Sequence, residues 1–497
     1  MAGRSGLTTG RRGAAISAAA LLAAVLPACA PRAVRVTPPV PAPEAFSAGG
    51  KAAAPPKWWT AFGDRKLTEL VEEALRGNLS LRSAWDRLDQ ARALAAQSGS
   101  GLWPTLDGSA GGSRTAQRTP LAGRTYATQY SLGLVAAYEV DLWGRVRSTR
   151  DAAHLDACAT AEDLRAAAIT LAAEVAATWV ALIEQRGQSA LLGEQIETNE
   201  KYLEVITLKF RRGQGSATDV LQQRQLVEST QGDRVLVASA AKVLEHQLAV
   251  LLGRPPTRLD VDAPTKLPDL PPLPATGIPA EWVRRRPDVR AAELRVQAAD
   301  RRVAAAIADQ FPTLGLTITT QTTAEQIRNL FDNWLASLAA NLAAPLLDGG
   351  RRRAEVRRTR AAVAEEINAY GQAVLTSLRE VEDALSQEAK QSEYVASLAR
   401  QLELSRKSTD QTRDNYSKGT TDFVRYLTTL LSHQRLQRTH LQALRQLVGF
   451  RIDLYRALAG GWPLPRAPRA RVSGPLEPVD CPRDEPVAEP KAPRGNE

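Results

Sequence analysis

The sequence is poor in the residues that carry most protein chemistry. Met1 is its only methionine, three cysteines and four histidines are present, and aromatics make up 5% of 497 residues. Three cysteines cannot staple a disulfide-rich fold, and Cys158, in a helical stretch, is not expected to bridge to Cys481, in a Pro-rich tail. Four histidines argue against a His-rich metal site. No uninterrupted apolar run is long enough to cross a bilayer as a helix, which excludes a helical transporter. Charge is not gathered in one block either. The 64 basic and 54 acidic residues, net +10, are spread along the chain, so no nucleic-acid footprint is expected.

Catalytic patterns are missing too. His433 and His440 lie seven apart, not the three or four that sets two ligands on adjacent helical turns. Gly213-Gln214-Gly215 and Gly349-Gly350 lack the Gly-Lys-Ser/Thr of a phosphate loop. No Ser, Asp or Glu is set beside a histidine as a nucleophile requires, and Glu380 and Glu382 read as a solvated helix face. Neither enzyme activity nor cofactor nor metal is expected. What is present is a core: 44% apolar and 24% charged residues, in a length that allows about three domains of about 150 residues.

The amino terminus carries an address. Arg4, Arg11 and Arg12 precede an apolar run from Ala14 to Leu26, then Pro27-Ala28-Cys29. A basic start, a short apolar segment and a small residue before the cut describe a secretory signal peptide, residues 1–28. Cys29 directly after it resembles a bacterial lipobox, in which that cysteine is lipidated. Ala30 is not the Asp that would favour inner-membrane retention, so the outer membrane is expected. Residues 29–57 are Pro- and Ala-rich and read as an extended tether, and 463–497 as a disordered Pro-rich tail.

The body is written twice. Arg82, Arg87, Ala91, Ala96 and Pro104-Thr105-Leu106 recur at Arg290, Arg295, Ala299, Ala304 and Pro312-Thr313-Leu314, a shift of 208. Gly144-Arg145, Phe210, Gly213 and Leu221 recur as Gly350-Arg351, Tyr416, Gly419 and Leu427, a shift of 206. Matched Pro, Gly and aromatic positions argue duplication. The first copy spans 58–265, with a helix from about Leu67 to Gln97, strands 104–118 and 126–142 and a helical hairpin 144–253. A linker covers 266–285. The second copy spans 286–462, with a helix from about Pro287 to Asp309, strands 312–322 and 334–347 and a hairpin 351–459. No proline occurs from Leu121 to Arg254 or from Leu346 to Trp462, and small and apolar residues step by three and four, as coiled coils require.

The strand segments alternate. Tyr130, Leu132, Leu134, Ala136, Tyr138, Val140 and Leu142 are apolar, with Gln129, Ser131, Gly133 and Glu139 between them. Leu314, Leu316 and Ile318 alternate likewise, and Trp103, Tyr126, Phe311 and Trp334 sit near strand ends. One apolar and one polar face over about ten residues, with terminal aromatics, is the pattern of a membrane β-barrel strand. Four strands cannot close a pore, so a barrel needs several chains.

These residues resemble the TolC-type outer-membrane efflux proteins, in the lipoprotein branch that serves resistance-nodulation-division pumps. The resemblance rests on Trp58-Trp59-Thr60-Ala61-Phe62-Gly63-Asp64, on Arg285-Arg286-Pro287-Asp288-Val289-Arg290 and on Pro345-Leu346-Leu347-Asp348-Gly349-Gly350-Arg351. Glu380-Val381-Glu382-Asp383-Ala384-Leu385 and the closing Leu454 to Trp462 also match, with Ala459 where the family has Gly. It implies an α+β membrane duct in which three protomers give four strands each to a twelve-stranded barrel, continued by a periplasmic α-barrel of coiled-coil helices. It further implies a homotrimer in outer-membrane lipid, a periplasmic adaptor, an inner-membrane pump and a passive exit path for drugs or toxic compounds. A protein-secretion duct of the same fold and a non-conducting periplasmic scaffold are the alternatives.

The resemblance also marks the hairpin tips. Phe210 and Gly213 match the first tip turn, Tyr416 and Gly419 the second. The family places Asp-Ala-Gln after the second turn, where this chain has Thr428-Thr429-Leu430. The expected gate candidates are therefore Tyr416, Gly419, Asp422, Val424, Arg425 and Thr428, with Asp422 and Arg425 expected to pair between protomers. The amino-terminal reading makes one prediction of its own: mass spectrometry of the mature protein will find an acylated Cys29, and an unmodified terminus elsewhere contradicts it.

Overall fold

A computed structural model describes residues 40–464 apart from 42, 53–54, 121–122 and 257–260. Cys29, the signal peptide and the carboxyl tail lie outside the described residues. After a short 3₁₀ turn, Trp58–Phe62, come α1 (Arg65–Gly77) and α2 (Leu79–Ser100), then β1 (Thr105–Thr119) and β2 (Gly123–Val140). The first hairpin is α3 (Arg145–Arg211) and α4 (Ala217–Leu251). The second copy follows with α5 (Pro279–Val283), α6 (Pro287–Ala308), β3 (Thr313–Ala324), β4 (Trp334–Ala343), α7 (Arg351–Ser417) and α8 (Phe423–Leu458).

The duplication is exact in two pairs of helices. α2 and α6 have 22 residues each, offset by 208, and α3 and α7 have 67 each, offset by 206. A 67-residue helix is about 100 Å long at about 1.5 Å per residue. The strand hairpins differ in length between copies, and α4 and α8 differ by one residue, 35 against 36. The single helix expected from Leu67 to Gln97 is two. Asn78 sits in an extended conformation and accepts the Leu81 N–H at 2.9 Å, capping α2, while its own amide donates to the Leu251 carbonyl at 2.9 Å. Asparagine favours such caps because its short side chain competes with the helical backbone bond.

The four strands form one antiparallel sheet in the order β1-β2-β3-β4. Register places Leu106, Ala136, Ile318 and Leu338 in one row across it, and Asp107, Val135, Thr319 and Ser337 in the next. Direct cross-strand partners share a face, so the alternation read in sequence becomes one apolar and one more polar surface. Leu338 and Trp334 stay 74% and 72% exposed, and β1 and β4 offer outer edges with no partner among the described residues. At the sheet's helical end Trp143 stacks on Phe311 at 4.8 Å and donates its Nε1–H to the Pro312 carbonyl.

The main core lies where α1, α2, α3, α4 and α8 meet. Trp58 stacks on Tyr455 at 5.8 Å and Trp59 meets Trp462 edge-on at 4.8 Å, so the opening and closing segments of the body lock together. Asp64 caps α1 through Leu67 and accepts the Trp179 Nε1–H at 2.7 Å. Within α3 one eighteen-residue window, with mean hydropathy 1.9, is apolar and long enough to cross a membrane, although no uninterrupted run in the sequence is. Two-thirds of it is buried, so packing against the other helices accounts for its composition. Cys158 is buried in α3 and disulfide-bonded, and the pairing with Cys481 that the sequence argued against concerns a residue outside the described ones.

Two expectations fail here. The tether 29–57 is not extended throughout: Phe46 is buried against Trp282, with ring centroids 5.5 Å apart, and residues 46–52 lie along the linker. Nor are Glu380 and Glu382 a solvated face. Glu380 accepts from Arg286 at 2.8 Å, and Glu382 accepts the Ser47 N–H at 3.0 Å. Both depend on partners remote in sequence. The sheet makes a testable distinction. Replacing Leu134 or Leu316 by Arg will destabilise the membrane-inserted protein by about 2–4 kcal/mol near the bilayer midplane. The same change at Ser131 or Thr317 will cost much less, and equal losses on both faces in unfolding titrations would point to a soluble sheet.

Candidate functional site at the hairpin tips

The two hairpins turn in the same way. The N–H of Gly213 donates to the Phe210 carbonyl at 2.9 Å and that of Gln214 to Lys209 at 2.8 Å; Gly419 and Thr420 repeat this toward Tyr416 and Asn415 at 3.1 and 2.9 Å. Gly213 and Gly419 have φ of 71° and 73°, a region that a Cβ disfavours, so glycine ends each long helix. The returning helices are capped at equivalent positions. Ser216 accepts from Thr218 at 3.1 Å with Asp219 reaching back, and Asp422 accepts the Arg425 backbone N–H at 2.8 Å.

That cap lies within one protomer, whereas the expected latch joins two. Asp422 meets the main chain of Arg425 and not its guanidinium, an interaction worth about 0.5–2 kcal/mol to the helix. Among the described residues Arg425 forms no ion pair within the protomer, and its side chain is exposed. Val424, Arg425 and Thr428 share one exposed face of α8, and Thr428 turns its hydroxyl to the Val424 carbonyl at 2.8 Å. Phe423, Tyr426 and Leu430 form the opposite, buried face. Spacing by three and four places the two sets on opposite sides of a helix.

Tyr416 is half-buried and packs against the buried set. It stacks on Tyr426 at 6.0 Å and contacts Phe423 at 5.8 Å, while Tyr202 meets Tyr426 at 5.1 Å. Lys209 lies 3.9 Å above the Tyr416 ring and donates to its carbonyl at 3.4 Å. With Ile206 and Val220 these residues bind the first tip to the second in one apolar cluster. Burial pushes the Tyr416 phenol above its usual range, with Asp219 adding to it, and pushes Tyr426 higher still, helped by Tyr202. Both phenols stay neutral at any physiological pH. Phe210, the counterpart of Tyr416, is instead 44% exposed. The sequence reading missed Tyr202, Lys209, Phe423 and Tyr426. Tyr202 and Lys209 stand four and three residues from Ile206, and Phe423 three from Tyr426, and that spacing was the available signal.

Above the cluster the hairpins are joined by amides. Gln188 donates to the Arg438 carbonyl at 2.9 Å, Gln195 to Gln437 at 2.9 Å and Gln434 to Asn199 at 2.9 Å, while within the first hairpin Gln223 donates to the Asn199 carbonyl at 2.8 Å. Buried amides of this kind must be paired to be tolerated, so they fix the register of α3 against α8. Nearer the sheet, Arg286 caps the join between copies. It donates to Asp288 at 2.8 and 2.6 Å and to Glu380 at 2.8 Å. Burial opposes its charge, but the two carboxylates outweigh that and raise its pKa. Among the described residues no group of three or more His, Cys, Asp or Glu is placed to hold a metal ion.

Comparison with known proteins matches this architecture. The sequence profile described as outer membrane efflux protein covers residues 70–254 and 279–460, one segment for each copy. The chain is 32% identical to the solvent efflux pump outer membrane protein SrpC of Pseudomonas putida, over 83% of this chain and 88% of that one. It is 30% identical to outer membrane protein OprJ of Pseudomonas aeruginosa, over 89% and 95%. Among solved structures, the outer-membrane channel OprN superposes with a TM-score of 0.77 at 30% identity, over 86% of this chain and 99% of OprN. The open state of the Neisseria gonorrhoeae MtrE channel gives 0.77 at 26%, over 87% and 97%. A duplicated body of two long helical hairpins hung from a four-stranded sheet, matched along both copies, places this chain in the outer membrane efflux protein family.

Proposed function

We propose that this chain is the outer-membrane duct of a tripartite efflux system. One observation carries the reading: a lipid-patterned sheet with two open edges runs directly into helices about 100 Å long. Three copies close a twelve-stranded barrel, and their six hairpins continue it as a helical tube across the periplasm. The chain is passive, since it carries no phosphate loop. Energy comes from an inner-membrane resistance-nodulation-division pump, joined through a periplasmic adaptor. An acyl chain on Cys29 adds an anchor in the outer membrane. Relatives named for solvent efflux, toluene efflux and pyoverdine export support small, partly apolar compounds as cargo.

The tips close the tube. Three-fold symmetry brings three copies of the Val424, Arg425 and Thr428 face around one axis. What holds each second hairpin inward is the cluster around Tyr416, not an Asp422–Arg425 ion pair. The Lys209 contact with Tyr416 is worth roughly 0.5–2 kcal/mol, and a state favoured by so little yields to an adaptor that prefers the open form. Lys209→Met and Tyr416→Ala will each raise the open probability in planar bilayers, about fivefold for each kcal/mol removed. Intact trimers conducting like wild type would clear these residues of gating. Trimers that never conduct, in any variant, would return the scaffold reading.

A further inference from the structure

The β1–β2 hairpin outruns the rest of the sheet. Pairing of β2 with β3 stops at Tyr130 and Ala324, while β1 and β2 stay paired as far as Thr119 and Gly123. Residues 111–131 carry three arginines and no acidic residue. All three arginines lie on one face. Arg118 and Arg124 are direct cross-strand partners, and Arg114 pairs with Thr128. The same face holds Tyr126, whose ring centroid lies 5.5 Å from the guanidinium carbon of Arg114 and 5.8 Å from that of Arg124. Followed down the strands, this face becomes the apolar one of Leu106, Leu132, Leu134 and Ala136, since direct partners and alternate residues share a side. The other face of the hairpin, with Ser113, Thr115, Gln117, Thr125, Ala127 and Gln129, has no charge. The cations are sorted to the side that the duct reading turns outward.

Strand geometry fixes their height. From Val140 to Tyr130 the apolar face runs ten residues, about 34 Å of strand at about 3.4 Å per residue. Tilted by about 40°, it stands about 26 Å tall, close to the apolar band of about 25 Å on a membrane barrel. Thr128 and its partner Arg114 come next, about 5 Å above that band, and Arg118 and Arg124 stand about 15 Å above it. A phosphoglyceride headgroup adds only about 5–8 Å to each side of the hydrocarbon. Arg114 falls within that layer; Arg118 and Arg124 stand beyond it. Like charges directly opposite each other repel, and the hairpin offers no carboxylate to separate them. An anion between Arg118 and Arg124 removes the repulsion, and a phosphate accepts guanidinium N–H groups in pairs.

We propose that Arg114, Arg118 and Arg124 form a binding site, one on each protomer, for the phosphate groups of a glycolipid in the outer leaflet. This rests on the reading of the sheet as a membrane barrel with its helices in the periplasm, which puts the hairpin end outermost. The ligand is an acylated, phosphorylated oligosaccharide. Its acyl chains lie along the apolar face, a phosphate next to them meets Arg114, and a phosphate on the sugars above meets Arg118 and Arg124. A phosphoglyceride is too short to reach the upper pair. Anionic cargo leaving the duct passes the uncharged face and does not meet the site.

Full-length protein purified from outer membranes and stripped of lipid tests this. The probes are a phosphorylated lipopolysaccharide, the same molecule after phosphatase treatment, and phosphatidylglycerol; affinity is read by titration and assembly by native mass. Wild type should bind the phosphorylated glycolipid at least tenfold more tightly than either other probe. Arg118→Gln/Arg124→Gln should weaken that binding at least tenfold and leave phosphatidylglycerol binding unchanged. The single variants Arg118→Gln and Arg124→Gln should each lose at least threefold, and they serve as the test if the double variant does not assemble. Adding Gln117→Arg/Thr125→Arg to the double variant moves the charges across the hairpin at the same height and should not restore binding. Wild-type affinity in the double and single variants overturns the proposal. Equal affinity of wild type for phosphatidylglycerol overturns it too, as does rescue by the transferred charges. Wild type that forms no trimers overturns the barrel reading itself, and the site with it.

Discussion

The structure depends on how a four-stranded sheet disposes of its two edges. β1 presents fifteen residues and β4 ten, nearly all exposed, with one side of each strand unpaired within the protomer. In water those backbone groups would bond to solvent. In hydrocarbon each unmet N–H or C=O costs several kcal/mol, and only a closed barrel meets them all. In the proposed barrel the apolar row Leu106, Ala136, Ile318 and Leu338 faces lipid, and the edges pair with other copies of the chain. The duplication follows the same logic. Each copy supplies one strand hairpin and one helical hairpin, so closing the barrel above also closes a tube below.

Beneath the sheet different forces have different tasks. A fully buried large apolar side chain contributes about 1.5–3 kcal/mol, against about 0.5–1.5 kcal/mol net for a hydrogen bond. The apolar clusters therefore hold the body together: Trp58, Trp59, Tyr455 and Trp462 where the two ends of the body meet, and Tyr416, Phe423 and Tyr426 at the tips. The amides of Gln188, Gln195, Asn199 and Gln434 add little net strength but accept only one alignment of α3 against α8. The proposed gating uses this division: register persists while a small apolar contact at the end opens.

Much of this was legible in the sequence because it is periodic or local. The shifts of 206 and 208 appear again as two pairs of helices of equal length, and each proline-free span holds one unbroken 67-residue helix. Even-numbered apolar residues from Tyr130 to Val140 gave the lipid face. What escaped the reading depends on contacts far apart in the chain. Asn78 breaks a helix that spacing alone would continue, because its side chain finds both the Leu81 N–H and the Leu251 carbonyl. Proline content suggested a loose tether, yet Phe46 and two glycines dock on a linker more than 200 residues away. At the tip, nearness of Asp422 and Arg425 suggested an ion pair between protomers, and three residues apart at a helix start is also the spacing of the cap that Asp422 forms within one protomer. Tyr416 was read as a gate candidate at its turn, but a lone aromatic does not say which side of its helix is covered, and here it packs against Tyr426 and Phe423.

The central claim is that the open edges of neighbouring copies pair. Its most direct measurement is disulfide cross-linking in outer membranes, with Ser337→Cys on β4 combined in turn with cysteines at positions 109 to 115 of β1, and each single substitution as control. Edge pairing predicts cross-linked bands that stop at three copies, formed at alternate β1 positions only, because neighbouring residues face opposite sides of the sheet. Bands with no preferred position, or products no larger than one chain at every position, would contradict it.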